Sequence, residues 1–157
     1  MKIRVIGIGQ SMRGDDAAGL EAIRRWQKEY PHTANNPRVS VENSELPGLG
    51  LLDKLEGADA AILIDAVRSS SPPGTLHLLN SDDLAAFSSE AGSAHGWGIA
   101  ESLNLGRILS PSLANCRITL IGIEVGQVDI GAVLSPEVEA ALKDVVNMIE
   151  KEVNSQL

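Results

Sequence analysis

Apolar positions along this chain switch between two spacings, and the switches mark out its elements. Ile3, Val5, Ile6 and Ile8 form a nearly continuous apolar run, as expected of a strand covered on both faces. It ends in a glycine-rich turn, and a helix starting at Asp15 or Asp16 then places Leu20, Ile23, Trp26 and Tyr30 on roughly one stripe. A polar turn from His32 to Pro37 leads to the alternating strand Val39-Ser40-Val41-Glu42. Leu46-Pro47-Gly48 next opens a short helix through Leu51, Leu52 and Leu55. Ala60 to Ile64 is a buried strand ending in Asp65. Ser71-Pro72-Pro73-Gly74 turns the chain into a strand over Thr75 to Leu79, predicted to run antiparallel at an edge.

The segment from Ser88 to Gly98, rich in serine, alanine and glycine around His95, reads as a loop feeding a helix over Ile99 to Leu109. Ile118 to Ile123 is the last strand. Ser135 then stands as N-cap, Pro136 takes the first helical position, and Val138, Ala141, Leu142, Val145, Ile149 and Val153 keep helical spacing. The alternation predicts an α/β fold: one domain over residues 1–157, with a twisted, mostly parallel sheet of about five strands and helices on both faces. Strands one and three then bring their carboxyl ends together, so Asp16 and Asp65 are expected on one rim.

Composition narrows the partners. A formal net charge of −8, with no basic stretch longer than Arg24-Arg25, argues against nucleic acid and anionic membranes. The lone Cys116 excludes an internal disulfide and a cysteine-rich zinc site. No apolar run reaches membrane-spanning length, and residues 1 to 9 read as a strand rather than a signal peptide, so a cytoplasmic protein is expected.

The turn Gly7-Ile8-Gly9-Gln10-Ser11-Met12 resembles a dinucleotide fingerprint at first. Met12 replaces its third glycine, however, and Asp15-Asp16 would repel a pyrophosphate, so the turn suits a cation or a proton better. Two carboxylates from separate strand ends and an imidazole from a polar loop make a three-ligand set for a borderline divalent ion. Asp16, Asp65 and His95 are the candidates. Asp15 reads as a cap for the first helix, and a second acid exceeds what one cap requires. Asp65 either faces solvent, pairs with a cation such as Arg68, or serves the site. His32 and His77 read as structural or solvated, Cys116 as a small buried hydrophobe, and Trp26 and the Leu51-Leu52-Leu55 group as core. Glu124 either lines the same rim or is a charged strand terminus.

Taken in order, Gly7-x-Gly9 with Asp15-Asp16, Ile64-Asp65-Ala66, Pro73-Gly74-Thr75, His95 before a helix, Gly122-Ile123-Glu124 and Leu134-Ser135-Pro136 resemble the hydrogenase maturation proteases, from residue 1 to about 150. The resemblance implies an endopeptidase that removes the carboxy-terminal extension of a nickel-iron hydrogenase large subunit precursor once nickel is in place. It also implies that Asp16, Asp65 and His95 contact the metal and that nickel arrives with the substrate. Asp16 and Asp65 are the catalytic candidates, with either the metal activating the scissile carbonyl or a water, or an acidic residue acting as general base while nickel serves recognition. Gln10 stands where the family usually has asparagine, and Ala17 where a glycine commonly follows the acidic pair. Two other readings remain: a catalytically silent chaperone or binding module for that subunit, and a nucleotide- or phosphate-binding enzyme.

Overall fold

The apolar runs assemble into a mixed sheet in the computed structural model, which describes residues 1–45, 50–80, 83, 92–93 and 110–157. The strands are β1 (Ile3–Ile8), β2 (Val39–Ser44), β3 (Ala60–Arg68), β4 (Leu76–Asn80), β5 (Gly92–Ser93) and β6 (Arg117–Glu124). Their order is β2-β1-β3-β6-β4, with β5 pairing β3 off this path. β2, β1, β3 and β6 run parallel to their neighbours, while β4 is antiparallel to β6 at the edge, as its turn predicts. The helices are α1 (Ala18–Glu29), α2 (Pro31–Ala34), α3 (Gly50–Leu55), α4 (Pro111–Ala114) and α5 (Pro136–Gln156).

Period-two alternation divides the core between the two faces of the sheet. Ile3 and Val5 of β1, Ile62 and Ile64 of β3, and Ile121 and Ile123 of β6 pack under α1 and α5. Ile6, Ile8, Leu63 and Leu120 point the other way, onto Leu51 and Leu55 of α3 and Leu113 of α4. Trp26 is wholly buried between α1 and α5, and its indole N–H donates to Glu150 Oε2 at 2.9 Å. Burial of each such side chain stabilises the fold by about 1.5–3 kcal/mol.

Several local expectations are corrected. The first helix is preceded by a 3-10 turn over Gly14–Ala17, and Leu20 is only half-buried, because the buried stripe runs through Ala18, Ala22, Ile23 and Trp26. Pro31 starts the one-turn helix α2 where a polar turn was expected. β3 does not stop at Asp65. It continues to Arg68 because β6 pairs with it through Val67↔Glu124, and β5 pairs with Val67 and Arg68. Gly92 and Ser93 are therefore strand within the expected loop. The remainder of that loop, with His95, and the expected helix over Ile99 to Leu109 lie outside the described residues, as does Leu46-Pro47-Gly48.

Arg25 ties α1 to α5, donating to Glu21 at 2.9 Å and to Glu139 at 2.7 Å, while Arg24 grips Glu21 at 2.6 and 2.9 Å. The hydrogen bond from Arg24, reinforced by Arg25 and opposed by partial burial, lowers the Glu21 carboxyl from its ordinary 4.5 to about 2. Since the folded value lies below the unfolded one, ionised Glu21 contributes stability above about pH 4.5, and this is lost as pH falls toward 2. Glu21→Gln is therefore expected to lower the urea midpoint modestly at neutral pH, with the gap to wild type closing across that acid range. A gap independent of pH would show that the ion pairs contribute nothing.

Candidate active site

β1 hands over to α1 and β2 on one side, and the chain crosses to β3 on the other, so strand order reverses between β1 and β3. In open α/β sheets ligands occupy the crevice at the carboxyl ends of such a pair. The last register pair between these strands is Gly7↔Ile64, which makes Asp65 the first residue of β3 beyond the reach of β1. The position of this candidate acid is thus set by a difference in strand length: β6 supports β3 through Asp65↔Gly122 while β1 has already turned away.

Two glycines allow α1 to begin hard against this rim. Gly9 has φ +153°, and the Asp16 carbonyl oxygen occupies the space a Cβ would need there. A Cβ on Gly19 would meet the carbonyl oxygens of Ile64 and Ile8, so the first turn of α1 rests directly on the ends of β3 and β1. Asp16 is 1% exposed, and its Oδ2 accepts the Gln10 backbone N–H at 3.0 Å. Asp65 is 0% exposed, which removes the solvent-facing alternative. Arg68 is exposed and lies three residues on, so strand alternation sends it to the opposite face of β3. A carboxylate is costly to bury, and both acids are buried where this fold places its chemistry.

The two adjacent acids separate into different roles. Asp15, 0% exposed, does not cap its own helix. Its Oδ2 accepts from the Gly126 N–H, the Gln127 N–H and the Ser135 Oγ–H, each at 2.7 Å, and Oδ1 accepts the Ser135 N–H at 2.6 Å. It therefore pins the loop after β6, and the start of α5, to the turn that carries Asp16. Ser135 keeps its N-cap position, but its hydroxyl serves Asp15 instead of the end of α5.

Glu124, left open by the sequence, is 1% exposed and structural. It accepts from the Ser69 N–H at 3.1 Å and from the Ser69 hydroxyl, and its Oε1 meets His77 Nε2 at 2.9 Å. This clamp joins the ends of β3, β4 and β6, and it was missed in the sequence because its partners lie 47 and 55 residues away. Register reveals it: His77 pairs with Gly122, which puts Glu124 on the diagonal. Among the described residues no group of three or more His, Cys, Asp or Glu stands ready to hold a metal ion. The third candidate ligand, His95, lies outside them.

A sheet of this order with buried carboxylates at its switch point defines an α/β protein built to work at its carboxyl rim. The family model HycI, hydrogenase maturation protease, matches residues 27–152, and this chain belongs to the hydrogenase maturation protease family. Asp65 falls within the matched stretch. The hydrogenase expression/formation protein HupD of Thiocapsa roseopersicina is 27% identical over 149 residues, covering 94% of this chain. The chain spans 65% of that relative's length. Among solved structures, the [NiFe] hydrogenase maturation protease HybD from Thermococcus kodakarensis matches with TM-score 0.76 at 26% identity, covering 98% of this chain and 99% of its own. The hydrogenase maturating endopeptidase HybD from E. coli shares the fold, with TM-score 0.83 at 22% identity over 99% of this chain and 94% of its own.

Proposed function

We propose that this protein is an endopeptidase that removes the carboxy-terminal extension from the nickel-loaded large subunit precursor of a nickel-iron hydrogenase. The observation that carries the reading is Asp65, a fully buried carboxylate at the switch point of the sheet, in a chain of the hydrogenase maturation protease family. In this reading Asp16, Asp65 and His95 grip nickel that the precursor already carries, so the metal is part of the substrate and reports that insertion is complete. Carboxylate oxygens and an imidazole suit such an ion. Asp16 and Asp65 are the catalytic residues: one carboxylate takes a proton from the water as its oxygen bonds to the scissile carbonyl carbon and returns it to the amine nitrogen as the C–N bond breaks, while the other helps to orient the metal-bearing segment. In the same reading the precursor is cut in the cytoplasm. Among the described residues no helix is long and apolar enough to cross a membrane.

Gln10 and Ala17 do not argue against activity. Gln10 serves Asp16 through its backbone N–H, a donor that asparagine would offer equally. Ala17 closes the 3-10 turn as an ordinary helical residue with φ −83° and ψ −1°, so a glycine is not needed for the backbone there. The nucleotide-binding reading is disfavoured by Asp15 and Asp16, both buried where a phosphate would sit against the start of α1.

The test is mass spectrometry of the large subunit precursor from the same organism after incubation with this protein, with and without nickel in the precursor. Loss of a carboxy-terminal peptide from loaded precursor alone is the expected result. Stable binding without a change in mass would make the protein a silent binding module instead.

A further inference from the structure

Beside the rim lies a cleft of about 730 Å³ lined by residues from α1, β2 and α3. Its floor is the carboxyl end of β2 at Asn43, Ser44 and Glu45. Leu20, Arg24 and Gln27 of α1 form one wall, and Lys54 of α3 stands on the other. β2 is an edge strand: it pairs with β1 on one side, and among the described residues no strand pairs with the other. Ile3 N–H donates to the Arg38 carbonyl at 2.8 Å and Gly9 N–H to the Ser44 carbonyl at 3.0 Å, so the even-numbered residues of β2 face β1. By the alternation of a parallel ladder, Val41 and Asn43 turn their N–H and C=O groups outward, into the side where the cleft lies. Asn43 is exposed.

The cleft borders the turn that carries Asp16. It is also lined by Ser11 and Ala17, the neighbours of Gln10 and Asp16. An open strand edge between two helices offers main-chain hydrogen bonds to an extended polypeptide, and its specificity comes from the side chains along the walls. Glu21 and Glu45 beside Arg24 and Lys54 give those walls mixed charge, which suits a peptide and opposes a phosphate ligand.

Resting on the endopeptidase reading, we propose that an extended segment of the precursor flanking the cut bond adds to the outer edge of β2 as a further strand, held in this cleft while the neighbouring residues reach Asp16 and Asp65. Strand addition here fixes the register of the substrate chain and so selects which peptide bond arrives at the acids. A proline at position 43 removes an outward donor without touching the β1 ladder, a placement that edge strands tolerate.

Asn43→Pro and, independently of the strand, Gln27→Trp, which fills the cleft from α1, are each expected to raise KM for nickel-loaded precursor about tenfold with a far smaller change in kcat. Amide exchange at Val41 and Asn43 is expected to slow when precursor is present in excess. If both variants cut with wild-type KM and exchange is unaltered, the cleft proposal is overturned while the protease reading stands. If wild-type protein leaves the loaded precursor uncut, both fall. Slowing of the same amides on raising the concentration of this chain alone would assign the edge to a second copy and likewise overturn the proposal.

Discussion

Asp65→Asn is expected to leave the protein folded and the hydrogenase large subunit precursor uncut. The substitution keeps the shape of the side chain at a position that is 0% exposed, and it removes the charge and the basic oxygen that the proposed chemistry needs. Loss of a positioned proton acceptor costs about 10²–10⁴-fold in rate, so processing should fall by at least that factor. Because asparagine keeps the size and polarity of the buried side chain, the thermal midpoint of the variant should change far less than its activity. Activity and stability therefore move differently, which distinguishes a working acid from a structural one. Full processing by the variant would remove Asp65 from the mechanism.

The opposite pattern is expected one residue before Asp16. Asp15→Ala strands three backbone or hydroxyl donors around one vacated oxygen and a fourth donor, the Ser135 N–H, beside the other. Hydrogen bonds to a charged group are worth about 1.5–3 kcal/mol each, and donors left buried without an acceptor add their desolvation. Since the four share one carboxylate and are not additive, a total loss of about 3–5 kcal/mol is expected from denaturant unfolding. Asp15→Asn should recover little of it, because the amide must turn an NH2 group toward donors on one side or the other. Asp16→Ala, which gives up the Gln10 N–H bond at 3.0 Å, should instead cost most of the processing while the protein still folds. Wild-type processing by the Asp16 variant, or wild-type stability of the Asp15 variant, would defeat this division of labour.

Much of this was legible in the chain because local spacing controls it. Apolar runs covered on both faces are read directly as parallel strands, and β1, β3 and β6 appear within three residues of their expected ends. The helical spacing of Val138, Leu142, Val145, Ile149 and Val153 marked α5, all five being buried. The rim shared by Asp16 and Asp65 followed from the alternation of strands and helices, since right-handed crossovers leave few sheet orders to choose among. What misled was each place where a distant partner outweighs a local preference. Asp15 and Ser135 both look like caps of the helices they precede, yet they spend their hydrogen bonds on each other across 120 residues. Asp65 looks like a strand end, yet β6 pairs with β3 through Val67 and β5 pairs with Arg68, which carries the strand three residues further.

The sequence alone therefore determined the class of fold, the principal strands, the first and last helices and the acidic residues at the sheet's edge, because periodicity and turn chemistry act over a few residues. Only the tertiary structure decided that Asp15 holds the loop after β6 and the start of α5 rather than its own helix, that Glu124 belongs to a clamp with His77 and Ser69, and that among the described residues β2 presents an open edge beside the site. Those outcomes depend on register and on hydrogen bonds closed across more than forty residues, and such pairings leave no local pattern in the chain.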